Sequence, residues 1–537
     1  MVCAGMIRHG GVTFLVVVAA AAGCGASRPA NRGANELSLS RAAAVGEFSD
    51  NPLLASVPAD TAYAFASFKP VSPDFVHAIR TAFSGMWHRE FQRDLQNDEE
   101  GAERARAFEQ WLAGLDARRL DELGFSSRAR FVLYGLQGYP VLRIELSNGD
   151  RVVELVERTA KDWRVKLPPH IDHVGRRYWI TDISDAGMLI AVGRTEAVIA
   201  VAPHDVIERN LGALVGGQRP AKSLTTAQFR ELAARDGFTG QALGFLDLPR
   251  ASAMFAEAAG VKPECRAAIV DVARSLPRLV IGFDDLTAHR MAMGLVLELA
   301  PDLLADVRGL AIPLAGYTRM IDRNPAMAVA VAADVERGRA LAARGLVALR
   351  HVGERCKNPK FVGMTSFLAV AVARPLPAML AGLRGGFMAL DSLQIGPRGP
   401  TSIDGYGLIQ IDHPEALLKQ IAEETPGFVL PRDGVARALP PMLGYPGHAA
   451  ASDSAIGVAL GRNSATAAAE LLKARPAPAP LAFLSFDYRR LGELVLRNEH
   501  GKDLEDMRDV VQSFGQFAFQ LVVDDRGPVL WTSIELR

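Results

Sequence analysis

Few residues of this chain have the types and spacing of a catalytic centre. The sequence has no GxSxG elbow, P-loop, HExxH or GxGxxG after a strand, the short motifs that indicate hydrolase, nucleotide or metalloprotease chemistry. The best metal candidate is His170–His173, which places two imidazoles beside the Asp172 carboxylate. Pro168 and Pro169 precede this segment, so we predict an exposed, solvated loop rather than a metal site.

Four carboxylates, Asp60, Asp247, Asp412 and Asp487, end or follow short apolar runs. Two of them could serve as general acid and base if the fold brought them together. An acidic side chain at this place also caps the free amide groups of a following helix. Because capping explains each residue separately, we predict four helix caps and no catalytic residue among them.

A thiol nucleophile beside a base is a third candidate. His351, Glu354 and Cys356 lie within six residues of one another. Arg350 and Arg355 surround them, which is typical of a solvated surface, and we predict no catalytic role. The sequence indicates no cofactor.

Cys24 carries the clearest functional indication. It follows the apolar run Val12–Gly23, and Arg8 gives the short start a positive charge, the layout of a secretory signal peptide over 1–23. The run is shorter than the roughly 20 apolar residues that cross a bilayer. A cysteine after small residues resembles the lipobox of bacterial lipoproteins, although Ala21 stands where that family usually has Leu. The resemblance implies acylation of Cys24; the alternative is an ordinary signal peptide.

The same resemblance implies a location in the cell envelope. Gly25 follows Cys24, and lipoproteins without Asp at this place are sorted to the periplasmic face of the outer membrane. Residues 24–52 are rich in Ala, Gly, Ser and Arg without an apolar period, which predicts a flexible tether. The membrane, reached through the N-terminal lipid, is therefore the first predicted partner.

Composition describes the body. Hydrophobic residues make up 49% and charged residues 22%, as in ordinary globular proteins. The 60 basic and 60 acidic residues balance, which argues against nucleic acid as a partner and against strong attraction to anionic lipid. The charged segment Gln92–Leu123 has a helical pattern, so it is either a solvated surface helix or a docking helix for another envelope protein.

Two cysteines remain in the exported body, Cys265 and Cys356. A bond between them would close a loop of about 90 residues and stabilise the fold by at most about 4–5 kcal/mol. We favour two separate buried thiols over this bond. Sequence alone does not decide between these, because bridging depends on the distance between the residues.

One local pattern recurs along the body: a short apolar strand leads directly into a helix opened by Asp, Ser, Asn or Pro. It occurs at Val141–Leu146, Leu243–Leu246, Gly407–Ile411 and Ala482–Phe486. Acidic and Gly-containing turns predict two hairpins, with turns at 284–287 and 524–527.

These strand-to-helix units and hairpins occur twice in the same order, over residues 53–305 and 306–537. In this parallel, Met188–Gly193 with a helix from His204 corresponds to Ile456–Gly461 with a helix from Ser464. We predict an α+β fold of two similar halves, each a mainly antiparallel sheet with strand-to-helix units packed on it. The alternative is that any chain of alternating strands and helices is self-similar by eye.

The sequence also resembles a family of bacterial cell-envelope proteins of unknown function, often lipoproteins, with tandem α+β repeats. The phrases that carry the resemblance are short and cover most of the mature chain: Pro58–Thr61 before a strand, Leu189–Gly193, Ser223-Leu224 with Phe229, Phe245–Asp247, Gly457–Gly461 and Phe483–Asp487. The second half lacks the Ser-Leu…Phe segment, because the spacer Pro476–Pro480 stands there. The resemblance implies an exported, repeated α+β fold and no known chemistry.

Three functional hypotheses follow. The leading one is a lipid-anchored envelope protein that binds a protein or surface partner without catalysis. The second is a carrier of an apolar ligand or lipid, held between sheet and helices. The third is a hydrolase whose site is assembled from residues distant in sequence.

Overall fold

The computed structural model of the protein describes residues 48–70, 117–496 and 511–536, apart from 127, 163–166, 184–185, 288, 381, 397–398, 441–444 and 512. The predicted signal peptide, Cys24, most of the predicted tether and most of Gln92–Leu123 lie outside these residues. The last residues assigned to the tether belong to the packed body. Phe48 is buried, and its ring centroid lies 4.9 Å from that of Phe68.

The chain folds into short strands and helices in alternation. The described strands are β1 Tyr63–Ser67, β2 Phe131–Leu136, β3 Tyr139–Glu145, β4 Ile171–His173, β5 Arg176–Ile183, β6 Ala186–Val192, β7 Glu196–Ala202, β8 Ala242–Asp247, β9 Arg278–Thr287, β10 Arg290–Glu298, β11 Leu314–Ala315, β12 Met327–Ala332, β13 Leu383–Gly396, β14 Gly399–Ile411, β15 Arg437–Ala438, β16 Gly447–Ala451, β17 Ala455–Leu460, β18 Pro476–Ala477, β19 Ala482–Asp487, β20 Phe514–Val523 and β21 Pro528–Leu536.

The described α-helices are α1 Ala117–Glu122, α2 Gly149–Asp162, α3 His204–Arg209, α4 Leu211–Leu214, α5 Thr226–Asp236, α6 Leu248–Ala258, α7 Pro263–Arg274, α8 Pro301–Arg308, α9 Tyr317–Asp322, α10 Val335–Arg355, α11 Pro359–Ala373, α12 Glu415–Glu424, α13 Ser464–Leu472 and α14 Tyr488–Leu496. Two short 3-10 helices, Pro52–Ser56 and Ala378–Leu380, complete the described elements.

Nineteen of the described strands form one antiparallel sheet. Their pairings follow the order β4-β5-β6-β7-β3-β2-β1-β8-β9-β10-β21-β20-β19-β12-β13-β14-β17-β16-β15. The remaining two, β11 and β18, pair with each other, so part of the predicted spacer Pro476–Pro480 is a short strand. The α+β class with an antiparallel sheet is therefore confirmed.

The strand order is the same on both sides of the central pair, β10 and β21, except that β4 extends the first side by one strand. Outward from β10 the order is β9, β8, β1, β2, β3, β7, β6, β5, and outward from β21 it is β20, β19, β12, β13, β14, β17, β16, β15. The central strands pair from Arg290 opposite Glu535 to Val296 opposite Val529. This common order supports the two predicted halves, whose origin by duplication stays a prediction.

One correspondence between the halves was predicted wrongly. The strand before the helix at His204 is β7, whereas Met188–Gly193 falls mainly in the preceding strand β6. By strand order, the partner of β17 in the first half is therefore β7. The error arose because β6 and β7 are both short apolar runs, and only the pairing pattern distinguishes them.

The first predicted hairpin turn is also displaced, whereas the second is confirmed. Residues 284–287 lie within β9, and the register shifts between Ala292 and Met293 of β10. The Thr239 amide donates to Asp284 Oδ1 at 2.9 Å, so this acidic residue serves a β-bulge rather than a turn. In the second hairpin, the Asp524 amide donates to the carbonyl oxygen of Gly527 at 3.1 Å.

Both large apolar cores lie on the same face of the sheet, because residues paired across antiparallel strands project to the same side. The core of the first half includes Phe68, Phe229 and Val296, and that of the second half includes Ala330 and Phe483. The second core is rich in alanine: alternate residues of β12 are buried alanines. This two-residue spacing is that of a strand with one buried face.

Candidate functional site

The helices α10 and α11 form an antiparallel hairpin, and we call residues 335–374 the helical arm. Asp334 caps α10 by accepting the Arg337 amide at 3.0 Å, and Asn358 caps α11 by accepting the Phe361 amide at 3.1 Å. Near the open end of the hairpin, the Arg339 guanidinium donates to the carbonyl oxygen of Val372 at 2.8 Å. Local capping thus defines both helices and their reversal.

The helix α11 exposes a broad apolar side. No charged residue occurs from Phe361 to Ala373, and Thr365 is buried against the rest of the arm. On the opposite side, Phe367 is 72% exposed, the largest value among the large apolar side chains that the structure describes. Met364, Leu368 and Val370, which share this side, are 51%, 41% and 57% exposed. A soluble surface helix would carry polar residues there.

The arm is strongly basic although the whole chain is neutral. Residues 335–374 contain eight Lys or Arg and two Glu, a net charge of +6, so the other residues together carry −6. Lys360 and Arg374 are exposed at the two ends of the apolar stretch. At about 100° per residue, both project from the same side of α11 as Phe367. An apolar stripe thus lies between two cations on one exposed face.

The arm is held to the body at its tip and along α10. Cys356, at the turn between the two helices, forms a disulfide with Cys265 at the start of α7, with Cα atoms 4.4 Å apart. Arg344 of α10 pairs with Asp306 of α8 at 2.7 Å. These contacts fix α10, so the exposed apolar side of α11 is presented by a rigid support.

A second concave feature, which we call the α5 groove, lies between α5 and the ends of β8 and β9. Its volume is about 300 Å³. The helix begins with a capping box, in which Thr225 Oγ1 accepts the Gln228 amide and Gln228 Oε1 accepts the Thr225 amide. Gln228, Glu231, Leu232 and Arg235 line the groove from successive turns of α5.

The predicted metal candidate is placed at the surface and is not a ligand set. His170 precedes β4, and Ile171–His173 form that exposed strand, so the predicted loop is wrong. His170 lies 3.5 Å from Glu157 and 3.8 Å from Asp172. Within the described residues, no three His, Cys, Asp or Glu side chains converge in a way that could hold a metal ion.

Two of the four predicted helix caps are confirmed. Asp247 Oδ1 accepts the Arg250 amide at 3.0 Å, and Asp487 Oδ1 accepts the Arg490 amide at 3.0 Å. The prediction for Asp412 is wrong, because its carboxylate instead accepts from the Arg384 guanidinium at 2.7 Å.

The fourth predicted cap, Asp60, is wrong as well. It lies in the turn before β1, so a strand and not a helix follows it. An Asp after an apolar run therefore predicts a cap only where a helix follows, and the same residue type serves turns and ion pairs elsewhere.

The predicted thiol candidate is excluded by the bond that Cys356 makes. Its sulfur is joined to Cys265, so it is no thiolate nucleophile, and the favoured prediction of two separate buried thiols is wrong. His351 Nδ1 lies 4.0 Å from Glu354, and both side chains are largely exposed.

The structure also shows a hydrogen-bonded serine and histidine that no sequence motif predicts. His448 Nδ1 lies 2.8 Å from Ser464 Oγ, sixteen residues away across β16 and the start of α13. Ser464 is only 2% exposed, and within the described part of the chain no carboxylate lies within 4 Å of His448. A catalytic hydroxyl must reach its substrate, so this pair is a core hydrogen bond.

The described part of the chain is an α+β protein built on one large antiparallel sheet. None of its described helices has both the length and the apolar content needed to cross a membrane. No model of a known protein family matches the chain, and no curated relative does. One solved structure, crystal form IV of TP0453, shares 13% identity over 49% of this chain and 86% of that chain, with a TM-score of 0.26. A likeness this weak carries no argument.

Proposed function

We propose that the protein is an exported envelope protein, acylated at Cys24, whose non-catalytic body binds an anionic membrane surface through the helical arm. The observation that supports this most is the uncovered apolar side of α11 between Lys360 and Arg374. Burying such a side chain contributes about 1.5–3 kcal/mol. A membrane interface covers the apolar stripe, while lipid phosphates pair with the cations at its ends.

Charge favours a membrane over another protein as the occupant of this face. Each Lys or Arg near an anionic leaflet contributes about 1 kcal/mol, and Lys360 and Arg374 lie on the exposed side of an arm whose net charge is +6. The neutral total charge argued against strong attraction to anionic lipid, but the charges are distributed unequally along the chain. The apolar stretch Phe361–Ala373 is about 20 Å long, too short to cross a bilayer and suited to lie in its surface.

The lipid anchor is tested by the mass of the mature protein. Acylation predicts cleavage before Cys24 and a covalent diacylglyceryl mass on that residue, lost in the Cys24→Ser variant. A mature chain with residues 1–23 still attached, or with an unmodified Cys24, would remove the anchor from the proposal. It would leave the arm to be judged separately.

The arm is tested with the Cys24→Ser protein, so that the anchor does not dominate binding. Co-sedimentation with vesicles containing phosphatidylglycerol should exceed that with phosphatidylcholine alone and should fall with added salt. Phe367→Glu should weaken binding at least about tenfold, because it replaces the apolar side chain with a like charge to the lipid. The matched control is Val429→Glu, at a residue that is 70% exposed outside the arm. Equal loss in both variants would contradict a role of the arm.

A further inference from the structure

The α5 groove has an apolar floor, as small-molecule binding sites do. Leu224, Phe229 and Leu232 are buried along one side, and Phe245 of β8 lies 6.0 Å from Phe229 between ring centroids. The volume of about 300 Å³ is at the lower end for small-molecule sites, which are mostly apolar with a few placed polar groups. It is too small for a two-chain phospholipid.

Arg278, the first residue of β9, is one of six polar residues that line the groove, with Gln228, Glu231, Arg235, Asp247 and Arg250. The carbon of its guanidinium lies 5.6 Å from the centre of the Phe245 ring. Its Nε is buried and has no hydrogen-bond partner among the residues that the structure describes. Buried donors of a charged group are normally paired, because an unmade hydrogen bond in low dielectric is costly.

The two carboxylates opposite Arg278 in the sheet pair with other residues. In the sheet, Arg278 is directly opposite Asp247 on one side and Glu298 on the other. However, Asp247 caps α6 and lies 3.4 Å from Arg250, while Glu298 pairs with Arg235. No carboxylate oxygen of the described residues lies within 4 Å of the Arg278 guanidinium. The Arg278 guanidinium therefore lies beside the apolar floor of the groove without a direct ion pair, although Glu298 is close enough to interact with it electrostatically.

We propose that the α5 groove binds a small organic carboxylate, whose anionic head pairs with Arg278 and whose apolar part lies on Phe229, Leu232 and Phe245. A guanidinium supplies only donors, in a planar fork that matches a carboxylate. The apolar floor selects a carboxylate that carries a short hydrocarbon chain over a bare inorganic anion. This site is separate from the helical arm, so the two proposals stand or fall independently.

The test uses octanoate as the anionic probe and octanol as its neutral match. Titration calorimetry of the mature protein should detect octanoate, bound at least tenfold more tightly than octanol, and octanoate should raise the midpoint of thermal unfolding. Arg278→Met should weaken octanoate binding at least tenfold and leave octanol unchanged. Arg266→Met, which removes a surface cation paired with Glu257 outside the groove, is the matched control.

A second variant keeps the test decisive if Arg278→Met folds poorly. Leu232→Trp fills the groove while Arg278 remains, and it should abolish octanoate binding with vesicle binding intact. Octanoate and octanol binding with equal affinity, unaltered octanoate affinity in a folded Arg278→Met protein, or retained binding in Leu232→Trp would each overturn the proposal.

Discussion

Cys265 and Cys356 are joined by a disulfide that connects the two predicted halves, since Cys265 begins α7 and Cys356 ends the first helix of the arm. Their Cα atoms are 4.4 Å apart although 91 residues separate them in sequence. The strand pair β10–β21 joins the two predicted halves by hydrogen bonds, and the disulfide adds a covalent link between them. It fixes the tip of the arm whose apolar side faces outward.

Loss of the disulfide should destabilise the protein by about 2–4 kcal/mol, because the unfolded chain gains the freedom of a long loop. The comparison is urea unfolding of the wild-type protein and of a Cys265→Ala, Cys356→Ala double variant. The midpoint should fall, and reduction with dithiothreitol should lower the wild-type midpoint to that of the variant. The variant itself serves as the control, because reductant should not change it.

Replacing Glu196 by Gln should cost about 3–5 kcal/mol at neutral pH. Glu196 Oε1 accepts from Arg143 at 2.7 Å, and Arg143 is fully buried with its remaining donors on Tyr134 Oη and the Ala213 carbonyl oxygen. The substitution leaves this guanidinium without its charge partner. Glu154→Gln, an exposed change on α2, should have no measurable effect in the same urea assay.

The same pair predicts an acid sensitivity. Burial raises the pKa of Glu196, but the nearby Arg143 and Arg176 lower it by more, so the folded pKa lies below the usual value. The stabilisation is therefore complete above about pH 4.3, the ordinary glutamate pKa, and is lost as pH falls through the folded pKa. Glu196→Gln should flatten this part of the stability profile. An unchanged slope would show that other carboxylates govern the acid transition.

The local elements could be predicted from sequence, because capping and alternation depend on near neighbours. Asp247 and Asp487 mark helix starts after strands, and the buried alanines of β12 follow the two-residue period of a strand. The pairing of Arg143 with Glu196 could not be predicted, because fifty-three residues separate them and each alone is typical of a surface. Only the antiparallel pairing of β3 with β7 brings them together.

The candidate sites show the same limit. The apolar run of α11 is visible in the sequence, but apolar residue type alone does not tell a buried helix face from an exposed one. That one side stays exposed follows from the packing of α11 on α10, which in turn packs on α7 and α8. Arg278 carries no local signal either, because its lack of a partner follows from the hydrogen bonds and ion pairs that Asp247 and Glu298 make with other residues.

The helix cap at Asp487 should contribute more to the folding stability than the ion pair at Asp412. Asp487→Ala removes a carboxylate that accepts two amides at the start of α14, at 2.9 and 3.0 Å, and should cost about 1 kcal/mol. Asp412→Ala breaks a half-exposed pair with Arg384, and solvent limits its cost to about 0–1 kcal/mol. Thermal unfolding of both variants measures the difference. The reverse order of stability would show that α14 does not depend on this cap.

Replacing two glycines by alanine should change the folding stability in opposite directions. A Cβ on Gly294, in the central strand β10, would lie 2.5 Å from the Trp531 ring and 2.7 Å from the Phe238 ring. Because these rings are packed in the core, Gly294→Ala should cost about 1–3 kcal/mol. Gly345, in the exposed part of α10, has no atom within 4 Å of such a Cβ, so Gly345→Ala should stabilise by about 0.5–1 kcal/mol through helix propensity. Urea midpoints at constant slope measure both, and destabilisation by Gly345→Ala would mean that another surface covers α10 in solution.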